Sequence, residues 1–518
     1  MAEPVIVLVP TGVDARAMGP ATVTGSGADS VSGAVRALVP RLSPGTPVAV
    51  TGPAGRLGAD LAPGQLVVAD ELWAAASGAR PRLVRRLPSA TLLAHELRRD
   101  GHRVAVGAVL STSGPSEATV GDAGALVVDH DSAWAAAMAG DRPLAVVRTV
   151  VEAPGPGAMA ASATLVPPGV LAPEGSTPHP GARPGTGSSA DARRSASVRE
   201  VIERWGRACR ARTILLASPR SFCAGVERAI EIVERALERY GAPVYVRRQI
   251  VHNTHVVGRL AALGAVFVEE LDEVPDGATV VLAAHGVSPD VRAQAGAREG
   301  FTVIDATCPL VAKVHHEARR YASRGYDIVL VGHSDHEEVV GTYGEAPERM
   351  HVVSTPEEVD DLALDPGTPV AYLTQTTLAT DETAEVVDAL RRRYPGIAGP
   401  STDDICYATQ NRQDAVRAIA RDCDLLLVVG SANSSNTARL VEVARREGCR
   451  AELVEDAGQL RLSWLDGAGT VGVTAGASAP EPVVTELVEA LAALGPVQVD
   501  ERRTTTETVR FALPLQVR

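Results

Sequence analysis

Short apolar runs recur along the chain, and each ends in glycine, proline or a polar residue. Alanine-rich, helix-like stretches lie between them. In the first 151 residues the runs are PVIVLVP, PVAVTG, GQLVVAD, HRVAVGAV, GALVVD and PLAVVRTVV. Short valine-rich runs with such ends are typical of buried strands. Their alternation with helix-like stretches predicts an α/β fold for this region.

The same pattern is stronger from about residue 213 onward. The predicted central parallel strands are TILLASP, PVYVRRQIV, ATVVLAAHG, FTVIDAT, DIVLVGH, PVAYLTQTT, DLLLVVGS and TVGVTAG. Nearly every run ends in small or polar residues, such as His-Gly, Thr-Cys-Pro or Gln-Thr-Thr. In open parallel sheets, ligands bind beyond the carboxyl ends of the strands. Candidate chemistry is therefore expected at these ends.

The segment between the two regions has a different composition. Residues 152–197 are rich in Pro, Gly, Ser and Ala and show little periodicity, which is typical of a flexible linker. The sequence thus predicts a separate N-terminal α/β domain over 1–151. It also predicts a second globular region over 198–515 that folds without the first.

Composition and charge narrow the class of protein. Of the 518 residues, 45% are hydrophobic but only 3% are aromatic, so the cores must consist mostly of Ala, Val and Leu. A net charge of −13 argues against wrapping nucleic acid, which requires clustered Lys and Arg. The N-terminus has no basic segment before an apolar run, and no stretch approaches the roughly 18 apolar residues of a membrane span. We therefore expect a cytoplasmic protein with neither a nucleic-acid nor a membrane partner.

Three of the six cysteines share one context. Cys223, Cys308 and Cys406 each precede a predicted helix start, where free N–H groups and the helix dipole favour a thiolate. They are 85 and 98 residues apart, and this near-equal spacing suggests three similar α/β modules with one cysteine each. Three converging thiolates could hold an iron–sulfur cluster with one iron left open. Three buried cysteines acting as small hydrophobes are the alternative. The other cysteines, in charged or helical surroundings, are Cys209, Cys423 and Cys449.

Histidines and small polar side chains occupy further strand ends. The histidines are His252, His285, His333 and His336. The hydroxyl and amide side chains are Thr376, Thr377, Ser434, Ser435, Asn436 and Ser478. Small donors at helix starts suit a phosphate or diphosphate, because free backbone N–H groups add to the side chains. Each cluster, taken alone, is equally compatible with helix capping.

Two nucleotide-binding motifs are not supported. The segment GAGTVG at 467–472 matches G-x-G-x-x-G, but it leads into a predicted strand instead of following one. The sequence contains no G-x-x-x-x-G-K-[ST]. Both observations argue against a nicotinamide or ATP site.

Nine motifs, in order along the chain, carry a resemblance to a known family. They are PRSFCAGVERAI, VHN, AAHGVS, DATCPLVAKVH, GHSDHEEVVGT, TQTTL, ICYATQNRQ, VGSANSSN and GVTAGASAP. Together they closely resemble the 4-hydroxy-3-methylbut-2-enyl diphosphate reductase family, over about 213–500. That family catalyses the last step of the non-mevalonate (methylerythritol phosphate) isoprenoid pathway, a reductive dehydroxylation that yields isopentenyl and dimethylallyl diphosphate.

The resemblance implies a fold and a cofactor. The fold would be three similar α/β modules with parallel sheets around a central iron–sulfur cluster, at about 213–308, 309–400 and 401–500. The cofactor would be one 4Fe-4S cluster with three cysteine ligands and one open iron. The implied ligands are Cys223, Cys308 and Cys406.

The resemblance also implies roles in substrate binding and catalysis. Residues that would hold the diphosphate are His252, His285, Ser434, Ser435, Asn436 and Ser478. His336 and Thr376 would lie near the substrate hydroxyl, and Glu338 would donate a proton. The family commonly has Gly-His-Pro-Glu where 335–338 reads Asp-His-Glu-Glu, but the His-x-Glu spacing is kept. Electrons would come from a ferredoxin or flavodoxin.

The N-terminal region weakly resembles the nucleoside phosphorylase and nucleosidase fold. The similar segments are TGPAGRLGADLAPGQLVVAD and GALVVDHDSAW. They imply a glycine-rich turn at 52–57, with Arg56 where Gly is common. They also imply an acidic ribose-binding residue at Asp131, where Glu is usual. A degenerate domain that serves as a spacer or docking module is expected.

Two alternatives to a reductase alone remain open at this point. One is a bifunctional protein whose N-terminal region is an active nucleosidase. The other is a non-catalytic iron–sulfur sensor, which would require an effector or DNA-binding module. Neither a basic helix nor a recognition motif for such a module is evident in the sequence.

Overall fold

The computed structural model describes residues 6–10, 22–25, 46–57, 60–75, 80–112, 125–129, 132–151, 189–365 and 367–518. The chain divides into two compact units. Unit 1 comprises Met1–Arg212, Ala457–Gly469 and Leu487–Gln498. Unit 2 comprises Thr213–Asp456, Thr470–Glu486 and Val499–Arg518. Among the described residues, no helix has the length and apolar character needed to cross a membrane.

Unit 1 is built on one mixed sheet. Its described strands are β1 (Ile6–Pro10), β2 (Thr22–Gly25), β3 (Val48–Arg56), β4 (Leu66–Ala75), β5 (Arg82–Arg86), β6 (Val104–Thr112), β7 (Val127–Asp129) and β8 (Leu144–Val151). Their order is β2-β1-β3-β7-β6-β4-β5, and β8 pairs with both β3 and β4. The pairings of β3, β7, β6, β4 and β8 therefore close into a ring, with β3 parallel to β8 and β4 antiparallel to it.

Aliphatic side chains fill the interior of this sheet. Val50, Val67, Val109, Val127 and Val146 are buried and belong to one cluster. The described helices of unit 1 are α1 (Ala90–Arg99), α2 (Ser132–Ala139) and α3 (Ser189–Ala208). The residues of this cluster are all aliphatic, in agreement with the low aromatic content of the chain.

Helix α3 is held by Trp205, which is fully buried. Its indole Nε1 donates a hydrogen bond of 3.2 Å to Ser89 Oγ, just before α1. Helix α1 contributes Glu96, which is buried and accepts a hydrogen bond of 3.0 Å from the backbone N–H of Leu462. Helices α1 and α3 and the segment around Leu462 thus form one part of unit 1.

The structure corrects two expectations for the first half of the chain. Helix α3 begins at Ser189, inside the predicted linker, and the residues up to Arg212 belong to unit 1 instead of the second region. The reason is the apolar side of α3, where Val201, Ile202 and Trp205 are fully buried. The remainder of the predicted linker, 152–188, lies outside the described residues.

The predicted glycine-rich turn at 52–57 is another difference. Strand β3 continues to Arg56, and Gly52 and Gly55 pair with residues of β8. The ladder with β8 satisfies the backbone of this segment, so it stays extended. Asp131, the predicted ribose-binding residue, lies outside the described residues.

Unit 2 contains three sheets. Their strand orders are β11-β10-β12-β13, β15-β14-β16 and β18-β17-β19-β9-β20. Strand β10 is parallel to β11 and β12, β14 to β15 and β16, and β19 to β17 and β9. The strands are β9 (Arg212–Ser218), β10 (Val244–Arg247), β11 (Ala265–Val268), β12 (Thr279–Leu282), β13 (Thr302–Asp305), β14 (Asp327–Val331), β15 (Met350–Val353), β16 (Val370–Thr374), β17 (Leu425–Val429), β18 (Ala451–Val454), β19 (Thr470–Ala475) and β20 (Val497–Arg503).

Helices return the chain between these parallel strands, as parallel pairing requires. They are α4 (Ala224–Tyr240), α5 (Thr254–Ala262), α6 (Pro289–Ala297), α7 (Pro309–Ser323), α8 (Glu337–Tyr343), α9 (Pro356–Asp360), α10 (Thr380–Arg393), α11 (Tyr407–Ala420), α12 (Ser435–Arg446) and α13 (Glu481–Ala492). The residues of α13 from Leu487 onward are counted with unit 1. The prediction of an α/β fold with parallel sheets is confirmed.

All eight apolar runs predicted as strands after residue 213 are strands. One predicted boundary differs from the sheets, because β9 does not join the sheet of β10, β12 and β13. It pairs with β19, in the register Thr213↔Thr470 to Leu216↔Val473. The first strand of the predicted module 213–308 therefore belongs to the third sheet, since order along the chain does not specify which sheet a strand joins.

Truncation of Trp205 tests the role of α3 in unit 1. We expect Trp205→Ala to lower the free energy of unfolding by about 3–5 kcal/mol, because it removes a fully buried ring and leaves a cavity. Urea unfolding of the full chain, followed by circular dichroism, measures this change. Leu83→Ala, at a side chain that is 40% exposed, is the control and should change the value by less than about 0.5 kcal/mol. Equal stability of the two variants would contradict the role of Trp205.

Candidate active site

The carboxyl ends of strands from all three sheets of unit 2 face one cavity of about 780 Å³, including its mouth. Its lining includes Cys223 after β9, His285 after β12, Glu338 after β14, Thr376 after β16 and Ser478 after β19. This is where open parallel sheets bind ligands.

Cys223, Cys308 and Cys406 line this cavity together. As the sequence predicted, each stands at a helix start, as the N-cap residue of α4, α7 and α11 respectively. Their backbone N–H groups donate to carbonyl oxygens of neighbouring strand-end loops, at 3.2 Å from Cys223 to Ala477, 3.0 Å from Cys308 to Ala284 and 3.0 Å from Cys406 to Thr376. The three sulfurs are thus presented from three separate loops.

Gly225 leaves room for two of the sulfurs. A side-chain carbon added at this glycine would lie 2.8 Å from Cys308 Sγ and 3.8 Å from Cys223 Sγ. The first distance is shorter than van der Waals contact, so Cys308 Sγ occupies the space that any larger residue would fill. Cys223 and Cys308 therefore face the same small volume.

The protonation of the thiols differs from the expectation that helix starts favour thiolates. Burial raises the pKa of Cys308 to about 12 and that of Cys406 to about 11. Hydrogen bonds from nearby backbone N–H groups oppose this shift but are outweighed by it. Without a cation these thiols are neutral, and binding a metal would release their protons.

Thr409 connects Cys406 to the amide side chain of Asn436. The Thr409 N–H donates to Cys406 Sγ at 3.3 Å, and the Thr409 hydroxyl lies 3.1 Å from the same sulfur. Thr409 Oγ1 also accepts a hydrogen bond of 3.2 Å from Asn436 Nδ2. Thr409 is buried, so this contact fixes the orientation of both partners.

Glu338 is buried at the start of α8, and Thr376 holds its carboxyl group with two hydrogen bonds. The Thr376 N–H donates to Oε1 at 2.7 Å, and the Thr376 hydroxyl donates to Oε2 at 3.0 Å. Burial raises the pKa of Glu338 to about 7, although both hydrogen bonds act in the opposite direction. Glu338 can therefore carry a proton near neutral pH, which is the property of a general acid.

Three of the four predicted histidines meet in this cavity. The rings of His252 and His285 stack with centroids 4.0 Å apart, and His336 lies edge-on to both, at 5.6 and 6.1 Å. Burial lowers the pKa of His252 and of His336 to about 4 and that of His285 well below its usual range. His285 Nε2 is buried and has no hydrogen-bond partner. It is available to an incoming ligand.

The predicted hydroxyl and amide residues lie beside the histidines. Ser434, Ser435 and Asn436 stand at the start of the twelve-residue helix α12, and Ser434 caps it. Ser478 Oγ donates to the backbone oxygen of His252 at 2.9 Å. Ser435 Oγ accepts from the hydroxyl of Thr377 at 3.1 Å. Hydroxyl groups and a helix start thus line the same cavity as the histidines, an arrangement suited to an anion.

The structure separates one predicted residue from the others. His333 does not line the cavity, and its Nε2 lies 2.6 Å from Arg439 Nη2. Residues that line the cavity and were not singled out from the sequence include Gly225, Thr409 and Phe511. Gly225 and Thr409 stand two and three residues after a ligand-like cysteine, which was a usable signal. Phe511 lies in the C-terminal segment, where no motif indicated a site.

Known proteins resemble the part of the chain in which the three cysteines and the histidines lie. The sequence profile of the LytB protein family matches residues 214–492. The 4-hydroxy-3-methylbut-2-enyl diphosphate reductase of Cutibacterium acnes is 56% identical over 312 residues, which are 60% of this chain and 96% of the relative. The enzyme numbered 2 of the same name from Mycobacterium bovis is 57% identical over 310 residues, 59% of this chain and 94% of the relative.

One solved structure agrees with the family match. The E-1-hydroxy-2-methyl-but-2-enyl-4-diphosphate reductase from Plasmodium falciparum is 38% identical, with a TM-score of 0.57, over 60% of this chain and 97% of that structure. An S-adenosylhomocysteine nucleosidase from Streptococcus pyogenes matches 29% of this chain at 17% identity and a TM-score of 0.25. A TM-score this low does not establish a shared fold. The nucleosidase-like nature of the N-terminal region stays a prediction.

The family match spans more than half of the chain and all nine motifs fall within or directly beside it. The resemblance inferred from the sequence is confirmed, and the chain belongs to the LytB protein family.

Proposed function

We propose that this chain reduces (E)-4-hydroxy-3-methylbut-2-enyl diphosphate to isopentenyl and dimethylallyl diphosphate. The overall change is loss of the hydroxyl group as water, with uptake of two electrons and two protons. The relatives named above are reductases of this kind. The observation that carries the proposal within this chain is the meeting of three helix-capping cysteines with a buried glutamic acid in one cavity.

We propose that Cys223, Cys308 and Cys406 bind a 4Fe-4S cluster at the centre of the three sheets. Three thiols from three loops match the ligand type that such clusters require. Two of them share the space beside Gly225, where even one added carbon would touch Cys308 Sγ. A cluster held by three cysteines leaves one iron free for substrate, and when bound it supplies the electrons and a Lewis acid for the reaction.

Glu338 is the proton donor in this proposal. Its carboxyl group lines the cavity, and its raised pKa keeps it protonated in part at neutral pH. A proton delivered to the leaving hydroxyl oxygen lets that oxygen depart as water. Thr376 fixes both carboxyl oxygens, so the acid is oriented before the substrate arrives. His336, whose ring borders the same space, completes the surroundings of the hydroxyl group.

The diphosphate is anchored by His252, His285, Ser478 and the start of α12 in this proposal. Free backbone N–H groups and hydroxyls at α12 favour phosphate oxygens. The unpartnered Nε2 of His285 gains a partner when an anion binds. Holding the diphosphate at this end fixes the reacting carbon beside the cysteines and excludes water, which lowers the entropic part of the barrier.

The electrons come from outside the chain, because repeated turnover needs a source that is renewed and side chains oxidised once are used up. We propose a ferredoxin or flavodoxin as the donor. Each is a one-electron carrier, which suits a cluster that takes up one electron at a time.

Replacement of the cysteines tests the cluster. We expect Cys223→Ser, Cys308→Ser and Cys406→Ser each to lose most of the bound iron, because serine is a poor ligand for iron–sulfur clusters. Anaerobic purification with iron and sulfide determination and electron paramagnetic resonance measures this. Cys423→Ser and Cys449→Ser are the controls and should keep the iron of the unaltered chain. A full complement of iron in Cys308→Ser would refute the assignment.

Gly225→Ala tests whether the space beside the sulfurs is needed. The added carbon would stand 2.8 Å from Cys308 Sγ, so we expect a reduced iron content and faster loss of the cluster. Gly258→Ala is the matched control in helix α5, where an added carbon meets nothing within 4 Å. A Gly225→Ala protein that reconstitutes as completely as the Gly258→Ala protein would contradict the predicted steric conflict.

Glu338→Gln tests the proton donor. The change keeps size and hydrogen bonding but removes the acid, so turnover should fall about a hundredfold or more while substrate still binds. In the unaltered chain turnover should decline as pH rises through about 7, where Glu338 loses its proton. Glu338→Gln should lack this decline in its residual rate.

The control for this experiment is the same chemical change at an exposed position. Glu357→Gln, on α9, should retain the rate and the pH profile of the unaltered chain. Unchanged turnover in Glu338→Gln would assign the proton donation to another group.

A further inference from the structure

Each helix that a cysteine caps carries a cationic side chain five or six residues after the cysteine. These side chains are Arg228 on α4, Lys313 on α7 and Arg412 on α11. None of them was singled out in the sequence. Each one donates hydrogen bonds to backbone carbonyl oxygens of residues that precede a different cysteine. Two of them have a further carbonyl partner, Ala512 for Arg228 at 2.8 Å and Ala408 for Arg412 at 2.9 Å.

Arg228 joins the helix of Cys223 to the loop of Cys308. Its Nη1 donates to the carbonyl oxygens of Ala306 and Thr307, at 3.1 and 3.2 Å. These are the two residues directly before Cys308. Their position relative to α4 is therefore fixed by the guanidinium group.

Lys313 joins the helix of Cys308 to the loop of Cys406. Its Nζ donates to the carbonyl oxygens of Thr402 and Asp403, at 2.5 and 3.2 Å, and to the carboxylate of Asp404 at 3.0 Å. Asp404 is buried and its other carboxylate oxygen accepts from the N–H of Thr374, at 3.0 Å. The contact thus reaches the strand that leads to Thr376.

Arg412 joins the helix of Cys406 to the loop of Cys223. Its guanidinium is fully buried and donates to the carbonyl oxygen of Ser221 at 2.7 and 3.1 Å and to that of Phe222 at 3.2 Å. The carboxylate of Glu507 balances its charge at 2.9 Å.

We propose that Arg228, Lys313 and Arg412 form a cyclic set of positioning residues that holds the three cysteine loops at the spacing of the cluster before the cluster is inserted. This inference rests on the proposed function, because it concerns the cluster assigned there. Helix α4 is tied to the loop of α7, α7 to that of α11, and α11 to that of α4. No loop can move away without breaking charge-assisted hydrogen bonds, which are roughly twice as strong as neutral ones.

The arrangement has an electrostatic consequence as well. A cluster with three thiolate ligands is an anion, and these cations stand on the three helices whose starts carry its ligands. The net charge near a cluster is one of the factors that set its reduction potential. Removing one cation should make the reduced, more negative cluster less favourable, so the potential should shift in the negative direction.

The test uses Lys313→Met and Arg228→Met in the full chain. Both side chains are partly exposed, whereas Arg412 is fully buried and its loss endangers folding. Lys313→Met also takes the cation from the buried Asp404. The comparison of stability therefore uses Arg228→Met, because the hydrogen bonds of Arg228 go to backbone carbonyl oxygens. After anaerobic reconstitution, cluster loss to a chelator should be about tenfold faster than in the unaltered chain, the scale typical of residues that support metal ligands. The potential should be more negative in both variants, while thermal unfolding of the metal-free Arg228→Met protein stays close to that of the unaltered chain. Lys313→Arg, which keeps the charge and donors, should restore both values in part.

The matched control is Arg298→Met. Arg298 also donates to backbone carbonyls, of Leu271 and Val274, at 3.2 and 2.8 Å, but it lies on no helix that a cysteine caps. Unchanged cluster loss and potential in Lys313→Met and Arg228→Met would overturn the inference, as would equally rapid loss in Arg298→Met. An unaltered chain that takes up no iron would overturn the proposed function and this inference with it.

Discussion

Removal of water from the cavity of unit 2 is the constraint on which its chemistry depends. Burial disfavours the charged form of every ionisable group, whichever sign the charge has. It raises the pKa of Cys308, Cys406 and Glu338 and lowers that of His252, His285 and His336. Burial thus favours the uncharged form of each of these side chains. Such a site binds a charged cofactor and a charged substrate only through specific contacts, and it favours the protonated form of Glu338.

The two neighbouring glutamates at the start of α8 show how the fold assigns different tasks to identical side chains. Glu338 points into the cavity and meets Thr376. Glu337, one residue earlier, lies 3.5 Å from Arg248 and within 4.8 Å of the ring nitrogens of His252 and His285. The reductase family commonly has proline at the position of Glu337. Successive helical residues point about 100° apart, so a shift of one residue would exchange a buried acid for an ion-paired one.

Much of the fold followed from the sequence because buried parallel strands are almost continuously apolar. Four strands after residue 213 were not predicted from the sequence, and all lie at the edge of a sheet: β11, β15, β18 and β20. Each has exposed or half-buried positions, which weaken the apolar pattern. The cysteines were recognisable because capping a helix is a local property. Other features depend on residues far apart in the chain and therefore could not be predicted from a local pattern. They are the sheet that β9 joins, the position of His333 outside the cavity, and the contacts of Arg228, Lys313 and Arg412.

The composition of unit 1 has a consequence for synthesis on the ribosome. Most of this unit precedes Thr213, yet it includes Ala457–Gly469 and Leu487–Gln498. Glu96 on α1 accepts a hydrogen bond from the N–H of Leu462, and Leu462 is added to the chain more than three hundred residues later. At about 5–20 residues per second that interval is on the order of tens of seconds. The part of unit 1 that precedes Arg212 is thus synthesised well before the segments that complete it, and helix α3 lacks its contacts with Leu462–Leu465 during the interval. A chaperone that binds exposed apolar segments would act in this period.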